Sequence, residues 1–195
     1  MTPNDKLLKF LSKNDFITLN EAVKLGISKM SLSRMVKDGK LYRPIKRIYS
    51  TDLDWLTHPL HRYAPVCTLY PHAVVCGVSA LMYYDLTDEE ERNTWIAFPH
   101  HRRVMNREYR ILYPSGDSYS LGITRYKCAK RQVRIYDIEK SVVDAFKYLP
   151  IDIALKALRA YLKRKDSDIG KLSKYAKQLR KPQVNEAVRT LLSDE

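Results

Sequence analysis

The stretch from Ile17 to Tyr49, ITLNEAVKLGISKMSLSRMVKDGKLYRPIKRIY, constrains the fold of this chain more tightly than any other segment. Thr18 and Asn20 are side-chain caps ahead of a short helix whose apolar residues Leu19, Ala22, Val23 and Leu25 can face inward. Gly26 offers the left-handed stop that a helix C-terminus favours. Ile27 follows as a buried plug, Ser28 can cap the next helix, and Leu32, Met35 and Val36 fall on one side of it by three-and-four spacing. Gly39 ends that helix. Leu41-Tyr42-Arg43 and Lys46-Arg47-Ile48-Tyr49 then suit two strands, with Pro44-Ile45 near their turn. Upstream, Leu7, Leu8, Phe10 and Leu11 give a first helix something to pack on the other two. Three helices and a strand pair in this order spell a winged helix-turn-helix. That arrangement mostly sets one helix in the major groove of DNA and a wing beside its backbone.

Charge placement separates this reading from a small helical domain whose charges only keep it soluble. The outer face of the second helix of the motif carries Lys29, Ser31, Ser33, Arg34 and Lys37, with no acid between Ser28 and Lys37. The wing adds Arg43, Lys46 and Arg47. Many winged helices bind proteins, but a neutral protein partner would not require hydroxyls and cations alone. Phosphates favour them. In this reading Ser28 positions the helix N-terminus, and Lys29, Ser31, Ser33, Arg34 and Lys37 enter the groove. Arg43, Lys46 and Arg47 hold the backbone or minor groove. Arg34 is the candidate for direct readout, because a guanidinium can take both acceptors on guanine.

The net charge of +13 over 195 residues divides unevenly. Residues 1–52 carry eleven Lys and Arg against five Asp and Glu, and residues 53–91 carry one against six. Residues 92–134 carry ten against two, and residues 135–195 thirteen against nine. The basic excess thus has two centres separated by an acidic block, a pattern that favours a polyanion or acidic partner. The first domain is expected over residues 1–52 and a second over residues 53–195, enough chain for its own core. No run of apolar residues is long enough for a membrane span, and the N-terminus MTPNDKLLKF lacks the apolar centre of an export signal. A cytoplasmic protein without a membrane partner is expected, associated with the nucleoid when bound to DNA. Cys67, Cys76 and Cys128 are widely spaced and odd in number, which reads as reduced thiols and neither a disulfide frame nor a zinc site.

Beyond Asp52 the pattern predicts an α+β domain ending in a helical bundle. Thr57 can cap a helix from about residue 59 to Leu69, and Ser79 a short one from Ala80 to Tyr84. The acidic run Asp88-Glu89-Glu90-Glu91 reads as a solvated loop before a strand at residues 94–98. Further strands are predicted at residues 109–113, 122–127 and 132–136, where β-branched and aromatic residues dominate. Four helices follow. Val142, Val143 and Phe146 mark the first; Leu155, Leu158, Tyr161 and Leu162 the second. Leu172, Tyr175, Ala176 and Leu179 mark the third after a capping Asp168, and Val184, Val188, Leu191 and Leu192 the last.

The order of these pieces resembles the AbiEi-like antitoxins of bacterial abortive-infection (type IV) toxin–antitoxin systems, which serve phage defence. LSRMVKDGKLYR, YPHAVVCGVSALMYYDLTDE, TWIAFP and RIYDIEKSVVDAFKY carry the resemblance over nearly the whole chain. It implies a DNA-binding autorepressor whose winged helix binds inverted repeats of double-stranded promoter DNA. It also implies that the C-terminal domain neutralises a nucleotidyltransferase-like toxin from the adjacent gene. The wing departs from the family. Such antitoxins usually have glycine just before the final tyrosine, whereas this chain has Lys46-Arg47-Ile48-Tyr49.

Enzymatic readings fare worse. A metal-dependent nuclease needs clustered carboxylates with a nearby lysine. Asp137 and Glu139-Lys140 are the candidates, but the spacing is wrong, and capping and the helix dipole account for both acids. The histidine pairs His58/His61 and His100/His101 lack matching Cys or carboxylate spacing. Ser79 and Ser141 lack a nucleophile setting, and there is no glycine-rich phosphate loop. No enzyme, catalytic residue, metal or cofactor is expected. One more set stands out. Arg102, Arg103, Arg107, Arg110, Arg125, Lys127, Lys130, Arg131 and Arg134 interleave with Tyr109, Tyr113, Tyr119 and Tyr126. They form either a second basic surface, for DNA or for the antitoxic function, or a sheet edge kept soluble by charge. The alternative to an antitoxin is a plain winged-helix regulator whose second domain senses a ligand or makes a dimer.

Overall fold

The computed structural model describes residues 2–128 and 130–193, and the chain forms two compact units. One unit runs to Pro71 and takes in Lys127–Val133; the other comprises His72–Tyr126 and the chain from Arg134 onward. The second basic centre is split between the two units.

The first unit opens with α1 (Pro3–Leu11), capped by Thr2 in a reciprocal pair with Asp5. Strand β1 (Ile17–Thr18) leads into α2 (Leu19–Lys24) and α3 (Lys29–Lys37), and β2 (Ile48–Tyr49) pairs antiparallel with β1. Two 3-10 turns, Asp54–Thr57 and His61–Tyr63, precede α4 (Ala64–Leu69). Leu7, Leu11, Ile17, Ala22, Ile27, Leu32, Met35, Leu41 and Tyr49 form one buried cluster. Leu32 has no exposed surface, and truncating such a leucine to alanine costs about 2–5 kcal/mol. Gly26 sits at φ +84°, where a side chain would be strained, and it reverses the chain so that Ile27 plugs the core.

Local signals set α1, α2 and α3, but four details of this unit differ from expectation. Thr18, not Asn20, caps α2: its hydroxyl accepts from Glu21 N, and the Glu21 carboxylate accepts from Thr18 N at 2.9 Å. Val23 is 55% exposed, because Ala22 takes the inward position of this six-residue helix and the next residue lies about 100° around. The wing is also smaller than two full strands. Residues 43–47 form no ladder; a single bridge joins Tyr42 to Ser50, and β2 spends its pairing on β1. Pro44 offers no N–H, and Arg47 at φ +71° turns the chain out of an extended course. The helix expected from Thr57 also fails. Pro59 and Pro65 interrupt it, and α4 begins only where Pro65 falls in its first turn.

In the second unit β3 (Val74–Val75), β4 (Thr94–Ala97), β5 (Tyr109–Leu112), β6 (Ile123–Cys128) and β7 (Arg131–Tyr136) make a sheet of order β5-β4-β3-β7-β6. The end of β6 and the start of β7 belong to Lys127–Val133 and so to the first unit. β3 is antiparallel to β4 and parallel to β7, and β4 is parallel to β5. Helix α5 (Gly77–Tyr83) follows β3, and the short α6 (Asp117–Ser120) precedes β6. Gly77 sits at φ +52°, and a Cβ there would lie 2.4 Å from the Trp95 ring, so only glycine admits this approach.

Helices α7 (Ile138–Tyr148), α8 (Ile151–Leu162), α9 (Ile169–Gln178) and α10 (Pro182–Ser193) bury Val142, Val143, Leu158, Tyr161, Leu172, Ala176, Val184 and Val188 against one another. The fold is the expected α+β class ending in a helical bundle. Leu192 is an exception at 47% exposed, near the end of α10. Ser79 does not cap a helix. It is buried within α5, accepts from Trp95 N at 2.7 Å and donates to the Glu91 carboxylate, so one acid of the 88–91 run is tied to α5.

Candidate nucleic-acid interface

Helix α3 owes its orientation to a two-sided division. Leu32 and Met35 are buried in the core, while Lys29, Ser31, Ser33, Arg34 and Lys37 are all exposed. Ser28 is its N-cap: the Ser28 hydroxyl accepts from Ser31 N at 3.0 Å and lies 3.0 Å from the Ser31 hydroxyl. The first turn has no acid, and its unpaired N–H groups make a local positive pole. Arg43, Lys46 and Arg47 in the wing are exposed too. The Arg47 guanidinium donates a long 3.4 Å hydrogen bond to Asn20 Oδ1, and its carbonyl accepts from Leu19 N at 2.9 Å. The nine side chains singled out from the sequence are therefore all solvent-accessible, on one helix and the loop that follows.

The first unit holds further cations that sequence patterning did not single out as a site. Lys6 and Lys9 of α1, Lys13 just after it, and Lys130 surround a basin of about 380 Å³ floored by Phe10 and Leu25. The lysine spacing along and just after α1 reads as an ordinary solvated face, and Lys130 joins them only through the fold.

Two members of the second basic set have partners within their own units. Arg131 is taken out of it: its Nη1 and Nη2 donate to the two Glu21 carboxylate oxygens at 2.6 and 3.0 Å, and its guanidinium lies 4.8 Å from the Phe16 ring centre. Nη2 also donates to the Phe16 carbonyl. Burial alone would raise the Glu21 carboxyl, but the Arg131 and Thr18 donors outweigh it and hold that carboxyl below the usual glutamate range. Arg134 is half-buried and donates twice to the Ala73 carbonyl, at 3.2 and 3.3 Å. Both are corrections: these arginines close backbone and carboxylate acceptors within their own units. Lys127, in the first unit, is exposed.

In the second unit Arg102, Arg103, Arg107, Arg110 and Arg125 are exposed. Arg103 stacks on Tyr113 and Arg110 on Trp95, with guanidinium carbons 5.3 and 5.4 Å from the ring centres. Arg107 and Arg110 line a cavity of about 500 Å³ with Arg92, Asn93 and Trp95, and Glu89 and Glu90 line it too. Desolvation, and then the charges of Arg102, Arg134 and His101, hold His72 below the ordinary histidine range.

The carboxylates around the start of α7 have structural partners. Asp137 caps α7 by accepting from Lys140 N, accepts from the Tyr175 hydroxyl at 3.0 Å and lies 3.1 Å from Lys171 Nζ. Glu139 accepts from the Tyr161 hydroxyl and lies 2.7 Å from the same Lys171 Nζ. Asp144 is buried with Lys140 as its ion-pair partner.

Residues 5–50 match the family model of transcriptional regulators described as AbiEi antitoxin. The model that matches is that of the family the sequence resembles, and the match spans α1 to β2. Residues 51–195 lie outside the match. No curated protein matches the chain. Among the described residues no helix is long and apolar enough to cross a membrane.

Proposed function

We propose that this AbiEi-type regulator binds inverted repeats in its own promoter through α3 and the wing, represses that operon, and neutralises a nucleotidyltransferase-like toxin encoded beside it. The observation that carries the DNA-binding part is the surface of α3 and the wing. Nine exposed hydroxyl and cationic side chains occur there without an acid between Ser28 and Lys37. Lys29, Ser31, Ser33, Arg34 and Lys37 face the major groove, with the positive pole of α3 toward phosphate. Arg43, Lys46 and Arg47 supply affinity that is largely indifferent to sequence. Arg34 reads a guanine, and loss of one such bidentate contact relaxes discrimination by about 1–3 kcal/mol. The chain acts as a binding protein in the cytoplasm and performs no catalysis.

Antitoxicity belongs to the C-terminal domain in this reading, and the exposed arginines at 102, 103, 107, 110 and 125 are its candidate surface. The test keeps the full chain, because a fragment starting at residue 53 would strip Arg131 of Glu21. Co-expression with the adjacent gene product should rescue growth, and charge reversal at Arg107 and Arg110 should abolish rescue while promoter binding persists. A neighbouring gene without toxicity, with promoter binding intact, would leave the plain regulator as the better reading. For the DNA-binding part, Arg34→Ala should weaken promoter binding more than binding to random DNA; equal losses on both would remove Arg34 from readout.

A further inference from the structure

Three side chains far apart in sequence converge within the first unit on a set of donors suited to a transition metal. Asp15 lies in the loop after α1, His61 opens the second 3-10 turn, and Cys128 ends β6. One ligand atom from each lies within 4.8 Å of the other two. His61 Nδ1 is buried and makes no hydrogen bond among the described residues, although Asp15 Oδ2 is 3.2 Å away. A neutral imidazole satisfied by the carboxylate would direct its N–H at that oxygen; here the two atoms are neighbours without being a donor–acceptor pair. Their separation has another physical meaning. Two ligands at 2.0–2.1 Å from a common tetrahedral ion stand about 3.3 Å apart.

We infer that Asp15, His61 and Cys128 form a binding site for a zinc-class divalent cation, coordinated by Asp15 Oδ2, His61 Nδ1 and the Cys128 thiolate, with water completing the shell. The mixed oxygen, nitrogen and sulfur set selects zinc or cobalt over magnesium or calcium, which demand oxygen alone. On binding, the Cys128 S–H bond breaks, its electron pair goes to the metal and the proton goes to solvent. A Zn–S bond near 2.3 Å sets sulfur–nitrogen spacing near 3.5 Å, so from separations within 4.8 Å closure asks the sulfur to move in by at most about 1.3 Å.

The surroundings hold the ligands in place. Ser50 Oγ donates to the Asp15 carbonyl and accepts from Trp55 Nε1 at 3.3 Å, and Trp55 packs on Phe16 at 5.3 Å between ring centres. The His61 ring lies 4.5 Å from that of His58, whose Nδ1 is engaged by Leu60 N. Metal would clasp the loop after α1, the linker after the wing and the end of β6 within the unit that carries α3.

The experiment is a Co²⁺ titration of the full-length protein, reduced and freed of metal by chelation. A saturable one-to-one complex with sulfur-to-cobalt charge transfer and the visible bands of four-coordinate cobalt, displaced by Zn²⁺, is expected. Cys128→Ala should remove the charge-transfer band. Asp15→Asn, at a partly exposed position, should keep the band but weaken binding by more than the roughly 10-fold minimum lost with an outer-shell partner. Should Cys128→Ala not fold, Zn²⁺ protection of the Cys128 thiol against alkylation in wild type, lost in Asp15→Asn, makes the same test. Absence of a one-to-one complex in wild type, or a band that survives Cys128→Ala, overturns the site. DNA binding is not read in this assay, so its outcome is independent of the repressor assignment.

Discussion

Arg47→Gly should move stability and DNA affinity in opposite directions. Arg47 holds φ +71°, a left-handed conformation that costs an L-residue about 1–2 kcal/mol relative to glycine. Part of that gain is lost because glycine is freer in the unfolded chain, by about 0.4–1 kcal/mol. The 3.4 Å contact to Asn20 is exposed and contributes little, and the Arg47 carbonyl that accepts from Leu19 N remains in either residue. The net expectation is a first unit more stable by about 0.5–1 kcal/mol. The guanidinium, however, is one of three wing cations. Losing a phosphate contact lowers the salt slope of log K by about 0.9, so the wild type should lose about 3.5-fold more affinity than the variant between 50 and 200 mM salt. Native-state hydrogen exchange at the Leu32 and Met35 amides reads the stability, and fluorescence anisotropy on promoter DNA across that salt range reads the slope. A variant less stable than wild type would refute the backbone reasoning. An unchanged slope would place Arg47 away from phosphate.

Other substitutions test neighbouring parts of the account. Lys46→Ala should lower affinity for promoter and random DNA alike, with the salt slope again falling by about 0.9; a loss confined to the promoter would contradict the positioning role. The Glu21 carboxyl has a depressed pKa in the folded state. Its stabilisation is therefore complete above the unfolded-state value near 4.5 and is lost as pH falls through the lower folded value. Glu21→Gln should lower stability at neutral pH and flatten the loss on acidification below about pH 4.5, seen in melting curves over pH; an unchanged acid limb would remove this linkage. Asp137→Ala takes away the α7 cap together with the Tyr175 and Lys171 contacts, and should destabilise the second unit by at least the roughly 1 kcal/mol of a lost cap. Promoter binding should persist in that variant, measured by the same anisotropy assay.

What could be read from the sequence follows the range of the interactions. Gly26, Ser28 and Gly39 act on their immediate neighbours, so the turn and both boundaries of α3 were visible in the order of residues. The wing was not, because β2 pairs with Ile17 and Thr18 and leaves its expected hairpin partner only the Tyr42–Ser50 bridge. The central strand Val74–Val75 is too short for an alternation to register, although the sheet order depends on it. Among the candidate site residues, exposure of the α3 cations followed directly from helical periodicity. The fate of Arg131 did not: its partner Glu21 is 110 positions away, and only the fold shows that this arginine is spent on a carboxylate. Asp15, His61 and Cys128 carry no sequence signature for the same reason, since they stand far apart in the chain and only the fold brings them together.

The central claim is that α3 and the wing recognise one DNA sequence, and the most direct measurement is the affinity of the full-length protein for its own promoter against a scrambled duplex at about 150 mM salt. The account predicts a preference of about 10³-fold or more for the promoter, as for specific DNA-binding proteins. Equal affinity for both duplexes, falling together with salt, would contradict it.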